Sequence, residues 1–492
     1  MVLILCDDLG YGDVGCYNPA GKIATPHIDA VAKQGVRFTD AHSSSAVCTP
    51  TRYSLLTGRY NWRTRLQGGV LGGTSPPLIA DDTLTLPEML KREGYRTGCF
   101  GKWHLGLGWQ KKTAETSFGD AIEKGPEGWD VAFDQPIADG PLQHGFDRFF
   151  GIAASLDMVP YAFIDQDRVS EIPSRDADFP MSLDKPQSRT RRGPAAAEFE
   201  AADVLPRIAE ESNRWIEQAA AQEIDAPFFA YVPLASPHTP IVPTEQWRGR
   251  SGMNAYADFT MQTDAAIGSI LAKLDELSLT DNTLVIVTSD NGCSPQADFQ
   301  RLEEFEHDPS GPFRGAKADI YEGGHRVPYV VRWPAELAAG QTVDAVIGLQ
   351  DTMATLADAL EIELPTEAAP DSYSWLPHIV PQPADQPIRQ SLVHHSIDGS
   401  FAIRRGEWKL CVCPGSGGWS PPRPDSKIAE ALPPMQLFNL ADDLAESTNL
   451  IERQPTVAAE LLSELTAIVA GAQTRGGTVA VNDVDVSVTR DR

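Results

Sequence analysis

The sequence predicts an α/β fold, with a large, mostly parallel sheet flanked by helices and a smaller C-terminal domain around an antiparallel sheet. Three apolar runs, each ending abruptly in polar residues, predict strands of the large sheet: "VLILCDD", "APFFAYVPLASPH" and "NTLVIVTSDNG". Such runs are typical of buried parallel strands, and ligands in open α/β sheets lie beyond the carboxyl ends of the strands. We therefore expect the functional residues at these ends.

Helical patterns lie between the apolar runs. "TLPEMLKREGY" begins with a Thr cap and stops at a Gly, and "YADFTMQTDAAIGSILAKLDEL" repeats apolar residues at helical spacing. Residues 166–194 are polar and poor in apolar pattern, so we expect them to form a surface insertion.

The C-terminal part of the chain is predicted to be a separate α+β domain. Residues 365–386 are rich in Pro, Ala and acids, which favours a linker. After it, "SFAIRRGEWKLCVC" predicts a hairpin that turns at Arg405-Gly406, and residues 454–471 predict an amphipathic helix. Residues 473–492 show little pattern and are expected to form a loose tail. We place the main domain at residues 1–375 and the C-terminal domain at residues 386–492.

The composition is that of an ordinary globular protein with an acidic surface. The chain has 492 residues, of which 42% are hydrophobic, and a formal net charge of −27. Binding nucleic acid requires clustered Lys and Arg, so nucleic acid is excluded as a partner. No run of about eighteen apolar residues is present, so no membrane span is expected. Salt screens the acidic field beyond roughly 8–10 Å, so a locally basic pocket can still bind an anion.

The seven cysteines show no metal-binding pattern. Their spacing is irregular and contains no C-x-x-C pair, so most are expected to be buried small hydrophobes. Cys48 stands out because it lies in "SSSAVCTPTRYSLLTGRY", between a run of small residues and a Pro-x-Arg. It is either a core thiol at the start of a helix or a reactive group.

Two pairs of oxygen-bearing side chains follow predicted strands. Asp7 and Asp8 follow the first run, and Asp290 and Asn291 follow the third. Adjacent carboxylates repel each other unless a cation lies between them, and a hard divalent ion favours all-oxygen ligands. Each pair alone is equally typical of a solvated loop or a turn. Together, the two strand ends favour one metal site.

Three further segments carry basic residues. In "GKWHLG", Lys102 and His104 are two positions apart, so in an extended segment both side chains face the same side. His238 lies between two prolines at a predicted strand end, and imidazole suits proton transfer near neutral pH. Lys317 follows a glycine-flanked turn. A surface Lys or a hydrogen-bonded loop His is the alternative at each position.

The stretch around Cys48 resembles the signature of the formylglycine-dependent sulfatases, of the arylsulfatase and N-acetylgalactosamine-6-sulfatase type. "GYRTGCFGKWH" resembles the second signature of that family, and "MQLFNLADDLAESTNL" resembles its C-terminal domain. The resemblance runs in consistent order from the first strand to about residue 330. The matching positions of the first signature are Cys48, Pro50, Arg52, Leu55, Leu56, Thr57 and Gly58.

The resemblance implies an alkaline-phosphatase-like fold and a sulfuric ester hydrolase. Cys48 would be oxidised to formylglycine by a maturase that reads the surrounding Pro and Arg. Arg52, Lys102 and Lys317 would stabilise the charge of the sulfate. His238 would protonate the leaving alcohol, and His104 would take a proton from residue 48. One divalent ion, Ca²⁺, would be held by Asp7, Asp8, Cys48 as formylglycine, Asp290 and Asn291.

The substrate is expected to be a sulfated glycan or small molecule. Loops of this chain resemble those of bacterial sulfatases acting on galactose-6-sulfate or N-acetylgalactosamine-6-sulfate, and Arg65, Asp157 and Tyr161 are candidate substrate-binding residues. These loops could equally pack the two domains together. The alternatives are a broad arylsulfatase, a phosphonate monoester or phosphodiester hydrolase of the same superfamily, and a non-catalytic carbohydrate-binding pseudo-sulfatase.

The compartment is undetermined. The chain opens on a strand without a signal peptide, so we expect an upstream segment to have been trimmed or left out. The resemblance implies a periplasmic or secreted location, because bacterial members of the family are often exported.

Overall fold

Strands and helices are mixed along the chain in the computed structural model, which describes residues 1–123, 125–221, 226–379, 387–471, 475 and 480–489. The strands of the described residues are, in chain order, β1 Val2–Asp7, β2 Val36–Phe38, β3 Ala41–His42, β4 Arg96–Lys102, β5 Arg148–Ile152, β6 Ile164–Asp165, β7 Arg168–Val169, β8 Arg175–Ala177, β9 Gly193–Ala195, β10 Phe228–Pro237, β11 Val285–Ser289, β12 Tyr329–Arg332, β13 Gln341–Val343, β14 Ile347–Gly348, β15 Leu392–His395, β16 Phe401–Arg405, β17 Trp408–Cys411 and β18 Gln436–Asn439.

The α-helices begin and end largely where local sequence signals place them. Thr85 caps α3 by accepting the backbone N–H of Glu88, whose side chain accepts the N–H of Thr85 in return. The helices are, in chain order, α1 Pro26–Gln34, α2 Cys48–Thr57, α3 Leu86–Arg92, α4 Val204–Ala220, α5 Ala255–Glu276, α6 Phe299–Glu303, α7 Glu322–His325, α8 Asp351–Ala359, α9 Lys427–Glu430 and α10 Pro455–Val469.

Ten strands form one mixed sheet in the order β13-β2-β12-β11-β1-β10-β4-β5-β6-β7. The central strands β11, β1, β10, β4 and β5 are parallel to one another. Strand β12 runs antiparallel to both β11 and β2, and β6 runs antiparallel to β5. Every residue of β1 and β10 is buried, and α4 and α5 pack against β10. The predicted large, mostly parallel sheet flanked by helices is therefore confirmed.

A second, four-stranded sheet in the order β15-β16-β17-β18 is antiparallel throughout. The predicted hairpin is its centre, since β16 and β17 pair across a turn in which Gly406 adopts a φ of 59°. Helix α10 packs on this sheet and buries Leu461 and Leu465 against it. The smaller antiparallel sheet is thus confirmed. The boundaries at residues 375 and 386 stay a prediction, and residues 380–386 lie outside the described residues.

Two local expectations differ from the structure. Residues 166–194 are more than a surface insertion, because they contain β7 and β8 and pair with β6 and β9. Residues 480–489, the described part of the tail, are hydrogen-bonded to the main domain. Arg59 donates to Asp483 and to the Val481 carbonyl, and Arg63 donates to Asn482. Polar residues in both segments are held by specific hydrogen bonds, which no hydrophobic pattern reveals.

No helix in the part of the chain that the structure describes has both the length and the apolar composition needed to cross a bilayer.

Candidate active site

The carboxyl ends of four parallel strands meet at one edge of the central sheet. β1 ends at Asp7 and β4 ends at Lys102, while His238 and Asp290 are the residues directly after β10 and β11. Because these strands are neighbours in the sheet, residues far apart in sequence come together there. The edge predicted from the apolar runs is therefore formed.

Each acid at this edge contacts a buried cation. Lys102 Nζ lies 2.7 Å from Asp7 Oδ2, and Lys317 Nζ lies 2.7 Å and 2.9 Å from the two Asp8 carboxylate oxygens. Arg52 donates from Nε and Nη2 to Asp290 Oδ2 at 3.0 and 2.8 Å. Three carboxylates thus face three cations, so the site is close to neutral within a strongly acidic protein.

Two oxygens at this edge have no hydrogen-bond partner among the described residues. Both Asp7 Oδ1 and Asn291 Oδ1 are buried and accept no hydrogen bond, although Arg52 Nη2 lies 3.7 Å from Asp7 Oδ1. Asn291 Nδ2 donates to Asp8 Oδ1 at 2.7 Å. Buried polar atoms are rarely left unsatisfied. Together with Asp8 and Asp290 they form an all-oxygen donor set, which fits a hard divalent cation such as Ca²⁺ better than zinc.

Burial and charge set the protonation of these acids. Burial, together with the charge of Asp7, raises the pKa of Asp290 to about 6 against the opposing effect of Arg52. Burial also acts to raise the pKa of Asp7, but Lys102, His238 and Arg52 outweigh it and hold that pKa far below its usual range. The repulsion left at Asp290 is what a cation shared between the two carboxylates would relieve.

Cys48 is the first residue of helix α2 and is 2% exposed. Val47, which precedes it, makes no side-chain cap to the first turn of the helix. All ten residues of α2 are buried, and Gly58 ends the helix with a φ of 63°. The sequence left open whether Cys48 is a core thiol at the start of a helix or a reactive group. The structure shows that Cys48 is buried at the start of α2.

The two predicted histidines differ in their hydrogen bonds. The His104 ring donates from Nε2 to the Leu71 carbonyl at 2.8 Å, so Nδ1 carries the lone pair, and it has no partner among the described residues. Burial, aided by Lys102 and Arg52, lowers the pKa of His104 well below its usual value. His238 donates from Nδ1 to the Thr239 carbonyl at 2.6 Å, which leaves Nε2 3.7 Å from Asp8.

The argument that Lys102 and His104 share a face by strand alternation is wrong. Strand β4 ends at Lys102, and His104 adopts a left-handed φ of 57°. Each side chain is instead placed by its own partner, Asp7 for Lys102 and the Leu71 carbonyl for His104.

A pocket of about 210 Å³ opens beside Cys48, and His238 and Lys317 line it. We call it the Cys48 pocket. Asp157 also lines it, and its carboxylate lies 3.0 Å from Arg191 Nη1. Of the three candidate substrate-binding residues, Asp157 is the one that the structure brings to the pocket.

Arg65 and Tyr161 are held elsewhere. The Arg65 guanidinium pairs with Asp120 at 3.0 Å and donates to the Pro76 and Pro77 carbonyls. Tyr161 is 1% exposed, and its hydroxyl donates to the Arg191 carbonyl and is also hydrogen-bonded to the Thr190 hydroxyl. Neither residue lines the Cys48 pocket, so the structure gives no support to a role in binding substrate.

Arg191 and Trp419 line the pocket and were not named as candidate site residues from the sequence. Arg191 comes from the segment read as a surface insertion, and Trp419 comes from the glycine-rich loop after β17. Trp419 was within reach of sequence reasoning, because an aromatic residue among glycines and prolines indicates an ordered loop. Arg191 carried no such signal.

Comparisons with known proteins agree over nearly the whole chain. The family model described as Sulfatase matches residues 1–362. An N-acetylgalactosamine-6-O-sulfatase of Bacteroides thetaiotaomicron is 34% identical, with 94% of this chain and 92% of the relative covered. Arylsulfatase A of Homo sapiens is 32% identical over 94% of this chain and 86% of its own. A solved structure from work on glycosaminoglycan metabolism by Bacteroides thetaiotaomicron aligns with a TM-score of 0.80 at 32% identity, covering 95% of this chain and 98% of that one.

Proposed function

The chain belongs to the sulfatase family and hydrolyses sulfate monoesters, and we propose that it does so through a formylglycine made from Cys48, on a sulfated carbohydrate. The observation that carries the proposal is the arrangement at the sheet edge: buried acids with free oxygens, three buried cations, and Cys48 in one pocket with His238 and Lys317.

Asp7, Asp8, Asp290, Asn291 and residue 48 would hold the divalent ion. The oxygens Asp7 Oδ1 and Asn291 Oδ1 support this assignment, because they are buried and accept no hydrogen bond from the described residues. When bound, Ca²⁺ would act as a Lewis acid toward a sulfate oxygen. It would also make a nearly neutral site clearly positive, which favours an anionic ester within an acidic protein.

Residue 48 would serve as the nucleophile. A hydrated formylglycine there would supply one hydroxyl to attack sulfur and a second whose proton can be removed so that sulfate leaves. A thiol in the same place is unsuited to this chemistry, because burial raises the pKa of Cys48 and the thiolate is the nucleophilic form. We expect a formylglycine-generating maturase to act before the helix is buried.

The basic side chains would stabilise charge and transfer protons. Arg52, Lys102 and Lys317 would stabilise the negative charge on the transferring sulfate. His238 lines the Cys48 pocket, with its Nε2 3.7 Å from Asp8, and would protonate the leaving alcohol. His104 is neutral at pH 7, since its pKa is lowered, and its Nδ1 has no hydrogen-bond partner among the described residues, so Nδ1 would accept the proton from residue 48.

The shape of the Cys48 pocket supports a small sulfated group as its occupant. Its volume, about 210 Å³, lies below the roughly 300–1,000 Å³ typical of drug-sized ligands. The Asp157–Arg191 pair offers acceptors and donors to sugar hydroxyls. With the relative that acts on N-acetylgalactosamine-6-sulfate, these features favour a terminal galactose- or N-acetylgalactosamine-6-sulfate.

Rates on matched esters test this proposal. Protein made with an active maturase is assayed on N-acetylgalactosamine-6-sulfate, galactose-6-sulfate, N-acetylgalactosamine-4-sulfate, an aryl sulfate and an aryl phosphodiester. We expect kcat/KM to be highest on a 6-sulfated sugar. A higher rate on the aryl sulfate would favour a broad arylsulfatase, and a higher rate on the phosphodiester would overturn the proposed substrate class.

A further inference from the structure

A second and larger cavity adjoins the Cys48 pocket. It has a volume of about 560 Å³, and its walls include Pro295, Phe299, Ser310, Phe313, Trp419 and Arg423. We call it the Trp419 groove. We propose that it binds the sugar linked to the sulfated residue, so that the substrate is an oligosaccharide; this inference rests on the proposed function.

The two cavities share parts of their walls. Trp419 lines both of them. Ser294 and Gln296 line the Cys48 pocket, while Pro295 between them lines the groove. Lys317 likewise faces the pocket, and its neighbour Ala316 faces the groove. The 294–296 and 316–317 segments thus lie between the two cavities, and Trp419 is the lining residue common to both, so a ligand that occupies both must pass over Trp419.

Asp319 fixes Trp419 relative to the catalytic loop. Its Oδ1 accepts the backbone N–H groups of Trp419 and Ser420 at 2.8 and 3.0 Å. Its Oδ2 accepts the N–H of Ala316, the residue before Lys317, at 2.9 Å. One buried carboxylate thus joins the loop that forms the groove to the loop that carries Lys317. Such support is typical of a binding wall that is formed before the ligand arrives.

The composition of the groove suits a carbohydrate. Phe299, Phe313 and Trp419 give it broad apolar faces, which can cover the C–H face of a pyranose. Ser310 and Asp308 supply acceptors for hydroxyls, and Arg423 supplies donors. Arg423 Nε donates to the Trp419 carbonyl at 2.6 Å, which keeps the guanidinium at the groove. Apolar walls with a few polar groups are the usual make-up of a small-ligand site.

The experiment compares a monosaccharide with a trisaccharide. The probes are N-acetylgalactosamine-6-sulfate and a trisaccharide that carries the same sulfated sugar at its non-reducing end. With the full chain carrying formylglycine, we expect kcat/KM to be about 10-fold higher for the trisaccharide, equivalent to one modest set of contacts. Equal values for the two probes, with both hydrolysed, would overturn the groove and leave the proposed function intact.

Variants of groove residues test whether the groove causes the higher kcat/KM for the trisaccharide. Phe299→Ala and Arg423→Ala should each bring the ratio of the two kcat/KM values toward 1, whereas Phe299→Tyr, which keeps the aromatic wall, should retain it. Gln300→Ala is the control, because Gln300 is exposed and does not line the groove. A ratio that survives both alanine variants contradicts the inference. If neither probe is hydrolysed, the proposed function fails, and the inference fails with it.

Discussion

Cys48 has features that a reactive catalytic cysteine does not have. Its thiol is buried at the first turn of a helix, and burial raises the pKa of Cys48 although Lys102 and Lys317 act in the opposite direction. Reactive cysteines are partly exposed and have a lowered pKa. The same position does suit a modified side chain that faces cations and an ester.

Replacing Cys48 by Ser separates modification from folding. Serine is similar in size, so Cys48→Ser should fold, but it offers one hydroxyl and cannot expel sulfate by elimination. We expect release of about one equivalent of alcohol per enzyme, followed by a kcat at least 10³-fold below the wild type. Rapid-quench assays with an aryl sulfate measure both. Cys16→Ser, outside the site, serves as the control, and sustained turnover by Cys48→Ser would rule out the mechanism.

Lys317 should matter more for the transition state than for the fold. It lines the pocket and pairs with both oxygens of Asp8. We expect Lys317→Ala to lower kcat/KM by about 10²–10³-fold, the typical loss for a group that stabilises developing charge. Steady-state kinetics measures this, with the exposed Lys111→Ala as the control. A loss below about 3-fold would be too small for a group that stabilises a transition state.

At the scale of elements, the site at the strand ends depends on glycines that let other backbone segments approach closely. A Cβ at Gly292 would lie 1.9 Å from the Gly323 carbonyl oxygen, and one at Gly101 would lie 1.9 Å from the Pro233 carbonyl oxygen. Both contacts are with backbone, so neither can be relieved by moving a side chain. The glycines beside Asn291 and Lys102 are therefore required by packing around the site.

Gly292→Ala should disturb the proposed metal site. The added Cβ must push the segment after β11 away from α7, which moves Asn291. We expect the free energy of unfolding to fall by about 1–3 kcal/mol and calcium affinity to fall by about 10–100-fold. Denaturant titration and calorimetric calcium titration measure these two quantities. Gly119→Ala, which meets no atom within 4 Å, is the control. Wild-type calcium affinity in Gly292→Ala would contradict the packing argument.

A buried group of three histidines brings together β3, which pairs with β14 in a two-stranded sheet, helix α7 and β15 of the four-stranded sheet. The histidines are His42 on β3, His325 on α7 and His394 on β15. The rings of His325 and His394 are stacked, with centroids 3.9 Å apart and planes 16° from parallel. Ring lone pairs lie in the ring planes, so stacked rings cannot point them at one ion. His325 Nδ1 lies 3.0 Å from His42 Nδ1, and His42 Nε2 lies 2.6 Å from Asp40, which forms a hydrogen-bonded chain. The cluster is therefore structural.

The histidine cluster makes stability depend on pH. Burial lowers the pKa of His394 well below 6.5, and the charges of His42 and Lys409 lower it further. The unfolded chain then binds a proton that the folded chain does not, so His394 costs stability as the pH falls below 6.5. His394→Phe keeps the stacked ring and cannot be protonated. We expect its stability relative to wild type to rise by up to about 1.4 kcal/mol per pH unit between pH 6.5 and 5.

Denaturant unfolding of the two proteins at pH 7.5, 6.5 and 5.5 checks this expectation. Comparing the two proteins cancels the contribution of buried acids, which change stability with pH in the opposite direction. Glu446 is one of these acids, since burial raises its pKa to about 7. If the difference in unfolding free energy between the two proteins stays constant with pH, burial does not lower the pKa of His394 and the expectation is wrong.

At the scale of the whole molecule, the sequence was informative wherever a motif coincided with a strand end. Asp7, Asp290 and His238 could be predicted because they follow apolar runs, and Cys48 and Lys317 because glycine and proline patterns surround them. Their pairing with one another could not be predicted, since it depends on strand order in the sheet.

The substrate side of the site was less predictable for a physical reason. Arg65 and Tyr161 have the right chemistry, but Asp120 and Thr190 take up their polar atoms. Arg191 lies in a segment without apolar pattern and reaches the pocket only through the folding of residues 166–194 around it. Side chains in loops take their positions from tertiary contacts, and local sequence does not encode those contacts.

The measurement that tests the central claim most directly is mass spectrometry of the tryptic peptide of residues 38–52. The protein is made in cells with an active maturase, and a peptide from a second sulfatase in the same cells reports that the maturase works. We predict an aldehyde in place of the Cys48 thiol, in proportion to the sulfatase activity of the preparation. A fully unmodified thiol in protein that turns over sulfate esters would contradict the mechanism.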